Sequence, residues 1–145
     1  MAYEIGKVDV WAVDVLNQPG TLARALEALR NAGAQLEFVI ARRAAENTSR
    51  VFLAPIKGAK QKQAAADVGI TLASGMHAFR IEGPDRPGLG ADLTRAIANQ
   101  GINLRGVSAA VVGRRSVTYL AFDSEQDMKV AVTIVKKLLK PKGKR

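Results

Sequence analysis

Apolar and polar residues alternate along the first half of the chain in an order that predicts two short helices and four strands. Alternation with a period of two predicts strands, and apolar residues spaced three and four apart predict a helix. The first predicted helix carries its apolar stripe on Leu22, Ala25, Leu26 and Leu29 and ends at Gly33. A second, polar helix is predicted over 58–67. The predicted strands are 7–15, 35–42, 50–54 and 70–73.

The second half repeats the order. Its first helix ends at Gly101, and its second, over 125–139, carries Met128 and Val135 on an apolar stripe. No strand pattern follows that helix, so the second copy is predicted to lack its fourth strand. The predicted strands are 77–81, 102–112 and 117–122.

The strand-to-helix turn of each half has nearly the same sequence. Asn-Gln-Pro-Gly-Thr at 17–21 recurs as Asp-Arg-Pro-Gly-Leu at 85–89, 68 residues later. A repeat this regular indicates duplicated structural units. We therefore predict two repeats, 1–74 and 75–145, the second carrying a basic C-terminal tail.

The β-α-β-β-α-β order predicts an α+β protein of two ferredoxin-like units, each an antiparallel sheet with both helices on one face. We expect the two sheets to lie side by side. Apolar residues occupy both faces of the first strands, so the face without helices needs a cover. We expect a homodimer or a larger assembly whose contact buries Val8, Val10 and Met76.

Composition narrows the class of protein. The chain has 145 residues, 48% of them hydrophobic, and no cysteine, which excludes disulfides and thiolate chemistry and fits a cytoplasmic address. No apolar run is long enough to span a bilayer. The net charge is +9, and 136–145 contribute six basic residues without an acid, which leaves +3 for the rest. The basicity is therefore largely a property of the tail, either as a solubilising end or as a contact for an acidic partner.

The sequence contains few residues that could carry out catalysis. His77 is the single histidine, no nucleophile is paired with it, and the carboxylates are scattered. Gly88 and Gly90 begin a glycine pattern typical of dinucleotide loops, but Leu93 stands where the third glycine belongs. We predict no enzyme activity, no metal and no cofactor.

The repeated turn is suited to holding a small zwitterion. Gly20 and Gly88 leave room where a helix begins, and free N–H groups at a helix N-terminus attract a carboxylate. Asp85 or the amide oxygen of Asn17 could accept hydrogen bonds from an ammonium group. Pro-Gly turns and Asn or Asp caps are also ordinary structural features, so a single copy would favour the structural interpretation. The second copy shifts the balance toward binding.

These motifs, with Asn31-Ala32-Gly33 and the segment 99–103, resemble the signature of the ACT domain. The resemblance implies a regulatory module that binds amino acids at the interface of paired domains, where the turn of one copy faces the second strand of the other. Gly90 departs from the usual apolar residue, which would widen the second pocket, and Gln35 replaces the more usual Asn. The ligand contacts implied are Asn17, Gln18, Gly20, Thr21, Leu22, Gln35, Asp85, Arg86, Gly88, Leu89, Gly90 and Asn103.

The resulting hypothesis is a non-catalytic amino-acid sensor that passes its ligand state to a separate protein. A ligand-free protein–protein interaction module is the alternative, because it needs only the folded pair. A nucleic-acid binder acting through the basic tail is a third interpretation, and it lacks an exposed aromatic platform.

Overall fold

A computed structural model describes residues 3–141. The chain divides into two units: residues 9–74 form one, and residues 1–8 together with 75–145 form the other. Each unit has a four-stranded antiparallel sheet and two helices. The predicted α+β class with two ferredoxin-like repeats is confirmed. No helix among residues 3–141 is long and apolar enough to cross a membrane.

The unit 9–74 follows the predicted order. Its strands are arranged β3-β4-β2-β5 across the sheet. Leu29, Val51 and Leu53 are almost fully buried in its core, against which Trp11 and Val13 pack. The elements are β2 (Trp11–Leu16), α1 (Thr21–Asn31), β3 (Phe38–Ala45), β4 (Thr48–Ala54), α2 (Gly58–Asp67) and β5 (Thr71–Leu72).

The other unit has the same arrangement, with strand order β1-β6-β8-β7. Its core contains Phe79, Ile97, Phe122 and Val135, all almost fully buried, and the rings of Phe79 and Phe122 stack at 5.6 Å. The elements are β1 (Glu4–Val8), β6 (His77–Pro84), α3 (Leu89–Ala98), β7 (Gly106–Val112), β8 (Arg115–Phe122) and α4 (Glu125–Leu138).

The N-terminal segment corrects two predictions. The single strand expected over 7–15 is two strands, because the chain leaves one sheet after Val8 and enters the other at Trp11. The truncated second copy is complete, since β1 pairs antiparallel with β6 and takes the edge position of a fourth strand. The strand β1 therefore belongs to the same unit as β6, whereas the predicted division into 1–74 and 75–145 placed it in the first repeat.

Tyr3 fixes this strand to its unit. Its hydroxyl donates to the carbonyl oxygen of Pro84 at 2.7 Å, and its ring lies where a side chain on residue 83 would stand. Glycine at 83 therefore permits the close approach. Lys136 and Lys137 occupy the last turn of α4, where positive charge complements the helix dipole. Lys140, also in the predicted tail, is exposed, and the remaining tail residues Lys142, Lys144 and Arg145 lie outside the described residues.

Candidate functional site

The turn between β6 and α3 presents a helix N-terminus beside a carboxylate. Gly88 precedes the helix with φ of 80°, a left-handed conformation that side chains disfavour. The Asp85 N–H donates to the carbonyl oxygen of Arg114 at 2.8 Å, which fastens the turn to the β7–β8 hairpin. The first-turn N–H groups of Gly90 and Ala91 have no acceptor inside the helix, because no turn precedes them. They are available to an anion.

Of the two charged side chains on this turn, one forms an ion pair within the described part of the chain and the other does not. Arg86 Nη1 lies 2.7 Å from Asp92 Oδ2, and this hydrogen bond raises the pKa of the Arg86 guanidinium. Asp92 is also in the first turn of α3, where an acid complements the helix dipole. The Asp85 carboxylate is exposed and forms no ion pair with any residue between 3 and 141. Asp85 is therefore the carboxylate at this turn that remains open to a ligand cation.

A cavity of about 300 Å³ adjoins the turn, within the unit that contains it. Its walls come from the turn, from the first turns of α3 and from the helix-side face of β7 and β8. Most of the lining is apolar, a composition typical of small-molecule sites. The lining residues are Asp85, Arg86, Gly88, Leu89, Gly90, Leu93, Thr94, Val107, Ala109, Ala110, Val111, Ser116, Thr118 and Leu120.

Three hydroxyl groups line the cavity, and their hydrogen bonding differs. The Thr94 hydroxyl donates to the carbonyl oxygen of Gly90 at 2.9 Å. The Ser116 hydroxyl reaches the carbonyl oxygen of Gly83 only at 3.4 Å. The Thr118 side chain is 6% exposed, and its hydroxyl has no hydrogen-bond partner in the described part of the chain. Thr118 therefore offers the cavity an unused donor and acceptor.

The corresponding turn of the unit 9–74 has the same backbone and different side chains. Gly20 has φ of 91°, and the Asn17 N–H donates to the carbonyl oxygen of Asn47 at 2.7 Å. The Thr21 hydroxyl donates to the carbonyl oxygen of Leu16 at 2.6 Å, so it is engaged in the turn. Gln18 is exposed. Leu22, in the position of Gly90, packs against the core.

Gln35 and Asn103 lie away from the turns of their own units. Gln35 lines a separate cavity of about 300 Å³ in the unit 9–74. Asn103 is exposed and does not line the cavity beside α3. The contact of each with the turn of the other copy, implied by the resemblance, stays a prediction. The cavity near Gln35 is lined by Gly33, Gln35, Leu36, Glu37, Pro55, Lys57 and Gln61.

Sequence reasoning identified the residues of the turn that line the cavity beside α3 and missed the rest of the lining. Asp85, Arg86, Gly88, Leu89 and Gly90 were singled out, and the structure brings all of them to the cavity. The missed residues lie on α3, β7 and β8. A usable signal was present in β8, where Ser116 and Thr118 interrupt one face of an otherwise apolar strand at a spacing of two.

Comparison with known proteins agrees with this architecture. The ACT domain model matches residues 77–140. This part of the chain is therefore similar to the ACT domain. No curated protein sequence matches the chain significantly.

Several solved structures share the fold over nearly the whole chain. A protein of Bacteroides thetaiotaomicron, 12% identical, superposes with a TM-score of 0.78 over 92% of this chain and 90% of its own. The ligand-free regulatory subunit of aspartate kinase from Thermus thermophilus, 15% identical, gives 0.66 over 94% and 96%. E. coli aspartokinase III in complex with lysine and aspartate, 11% identical, gives 0.56 over 97% of this chain and 33% of its own. The predicted fold of two ferredoxin-like repeats is thus shared with these structures over nearly the whole chain.

Proposed function

We propose that this chain is a non-catalytic regulatory protein that binds an amino acid in the cavity beside α3 and passes its ligand state to a separate protein. The observation that carries the proposal is the cavity itself, which joins a helix N-terminus, an unpaired carboxylate and apolar walls. The ACT match over residues 77–140 supports a regulatory role.

The proposed pose follows from charge. The ligand carboxylate accepts hydrogen bonds from the N–H groups at the start of α3, where the helix dipole favours negative charge. Its ammonium group donates to the Asp85 carboxylate. The ligand side chain then enters the space between α3 and β7. A volume of about 300 Å³ is at the lower end for ligand sites, which suits an amino acid.

The first test is a thermal shift screen with the twenty amino acids. A ligand that binds only the native state raises the melting temperature. Calorimetric titration with the active amino acid then compares the wild type with Asp85→Ala. We expect Asp85→Ala to weaken binding by about 1.5–3 kcal/mol, the range for a hydrogen bond to a charged group. Asn17→Ala, at the equivalent turn of the other repeat, removes an amide instead of a charged group and should cost less. Equal affinities for wild type and Asp85→Ala would remove Asp85 from the site.

The second test fills the cavity. Gly90→Leu installs the residue that the other repeat carries at this position, and a side chain there has open space around its Cβ. We expect it to abolish binding while the protein stays folded. Ala98→Leu places a leucine side chain at an exposed position of the same helix that does not line the cavity, and this variant should bind normally.

A ligand-free interaction module is the second candidate, and one observation favours it. The edge strand β7 leaves Val107, Val111 and Val112 exposed at 53%, 55% and 77%. Exposed apolar edge strands are common sites of protein association. Absence of a thermal shift with every amino acid would support this candidate over the sensor.

We propose a homodimer on the same grounds, with the edge of β7 as the contact. Val10, one of the residues expected in the dimer contact, is already 5% exposed within a single chain and gains little from a partner. Light scattering at micromolar concentration tests the assembly. A monomer would contradict it, and a dimer that Val112→Lys dissociates would support this edge.

A further inference from the structure

The walls of the cavity carry more polarity than an aliphatic ligand side chain would use. Ser116 and Thr118 lie two residues apart on β8 and therefore point to the same face of the sheet. Thr118 is 6% exposed without a hydrogen-bond partner among residues 3–141, and Ser116 has one long contact at 3.4 Å. A hydroxyl that lines a mostly apolar cavity without a protein partner can pair with a polar group of the ligand, and a ligand that lacks such a group forgoes this hydrogen bond.

The same walls exclude a charged side chain. The charged residues that line the cavity are Asp85 and Arg86, both exposed on the turn, and Arg86 is engaged by Asp92. The remaining lining consists of apolar residues, glycine and hydroxyl groups. A lysine or aspartate side chain placed between α3 and β7 would thus lose its hydration without gaining an opposite charge.

We infer that the site selects a small amino acid with a neutral hydroxyl side chain, threonine or serine, through a hydrogen bond to the Thr118 hydroxyl. This inference rests on the proposed function and adds the class of ligand. The other repeat supplies an internal contrast. In the aligned hairpins, Thr118 corresponds to Val51, which is fully buried on the same face of β4. The fold therefore accepts valine at this position, and the hydroxyl of Thr118 is available for binding.

Threonine and valine are the decisive pair of probes, because they have nearly the same shape and differ by the hydroxyl group. We expect wild-type protein to bind threonine about fivefold more tightly than valine, the ratio for one net hydrogen bond of typical strength. Lysine and aspartate should bind more weakly than either. Titration calorimetry with all four amino acids, and with serine, measures these ratios directly.

Thr118→Val assigns the preference to this residue. The variant should bind threonine and valine with equal affinity and retain the wild-type affinity for valine. Thr133→Val is the matched control, since Thr133 is exposed on α4 and its hydroxyl donates to the carbonyl oxygen of Lys129 within the helix. It should keep the threonine preference.

The outcomes separate the two proposals. If the protein binds an amino acid that Gly90→Leu displaces but does not prefer threonine to valine, the inference is wrong and the proposed site remains. Tight binding of lysine or aspartate at this site would also overturn it. If no amino acid binds at all, the sensor proposal and the inference fail together. Loss of valine binding in Thr118→Val, with the far-ultraviolet spectrum intact, would show a packing role and overturn the hydrogen-bond assignment.

Discussion

The two strand-to-helix turns have the same backbone conformation, but side chains fill the space beside one of them and a cavity adjoins the other. Both place a glycine with positive φ before the helix, and both fasten the turn to the neighbouring hairpin by one backbone hydrogen bond. In the unit 9–74, Leu22 and Leu26 pack against the core from the first turns of α1. In the other unit, Gly90 and Thr94 stand at these positions and line a cavity. Two side chains therefore decide whether this turn is filled or open.

The charged residues at the two turns also differ between the repeats. Asp92 in the first turn of α3 complements the helix dipole and holds Arg86, whereas the equivalent positions of the first repeat carry Arg24 and Gln18. The opposite wall differs as well: Val111 of β7 corresponds to Arg43 of β3. The comparison teaches that duplication preserved the scaffold of both repeats, while the features suited to binding are concentrated in one.

The largest effect is expected from substitutions in the two cores, which test whether the cores are equivalent although the turns differ. Leu29 of α1 and Ile97 of α3 occupy corresponding positions and are 1% and 0% exposed. Leu29→Ala and Ile97→Ala should each lower the free energy of unfolding by about 2–5 kcal/mol, because each removes buried methyl groups and leaves a cavity. Urea unfolding followed by circular dichroism measures both. A loss below about 1 kcal/mol in either would show that the scaffold is not shared.

The next test exchanges the residues that fill or open the turn. Leu22→Gly should destabilise the protein by roughly 2 kcal/mol, since it loses a half-buried side chain and places glycine in a helix. Gly90→Leu should have the opposite sign and raise stability by up to about 1 kcal/mol, because it removes that glycine penalty. Melting temperatures of both variants without ligand are sufficient. Destabilisation by both would mean that Gly90 is needed for packing and not for space.

The comparison also shows what sequence alone can predict. Helix ends and the turn follow from local chemistry: Gly33 and Gly101 end helices, and the Pro-Gly turns begin them. The position of β1 cannot be predicted from local chemistry. The alternation over 7–15 is the same whether the chain stays in one sheet or passes from one sheet to another. The cavity walls were missed for a similar reason. Space beside Ser116 and Thr118 depends on small side chains that lie across the fold on α3, and periodicity along one strand carries no such information.

A smaller effect concerns the glycines that begin the helices. Gly20 and Gly88 have φ of 91° and 80°, and a Cβ added at either would meet no atom within 4 Å. Gly20→Ala and Gly88→Ala should therefore cost only the backbone strain of a left-handed conformation, roughly 1–2 kcal/mol each. Equal losses in chemical denaturation would confirm that the two turns share one backbone. A much larger loss at one of them would show that the turn is more tightly constrained in that repeat.

The smallest effect is expected from removing two ion pairs that lie at corresponding positions of the two repeats. Asp14 and Glu82 occupy corresponding strand positions, and each is held by arginine: Asp14 Oδ1 lies 2.8 Å from Arg50 Nε, and Glu82 Oε1 lies 2.8 Å from Arg80 Nη1. The hydrogen bond from Arg50 lowers the pKa of Asp14 below 3.8, and that from Arg80 lowers the pKa of Glu82 below 4.5. A carboxyl group with a lowered pKa stabilises the folded state above its unfolded pKa, and this contribution is lost as pH falls through the folded pKa.

Solvent exposure decides which pair matters more. The Glu82 side chain is 27% exposed and that of Asp14 is 51% exposed, so water screens the Asp14 pair more strongly. Glu82→Gln should therefore lower the melting temperature more than Asp14→Asn at about pH 7, and both differences from wild type should shrink as pH falls toward about 3. Melting temperatures of the three proteins across this range are the measurement. A difference that does not change with pH would mean that Glu82 acts through packing rather than charge, and an equal effect of the two substitutions would place the ion pairs, like the cores, among the features that the repeats share.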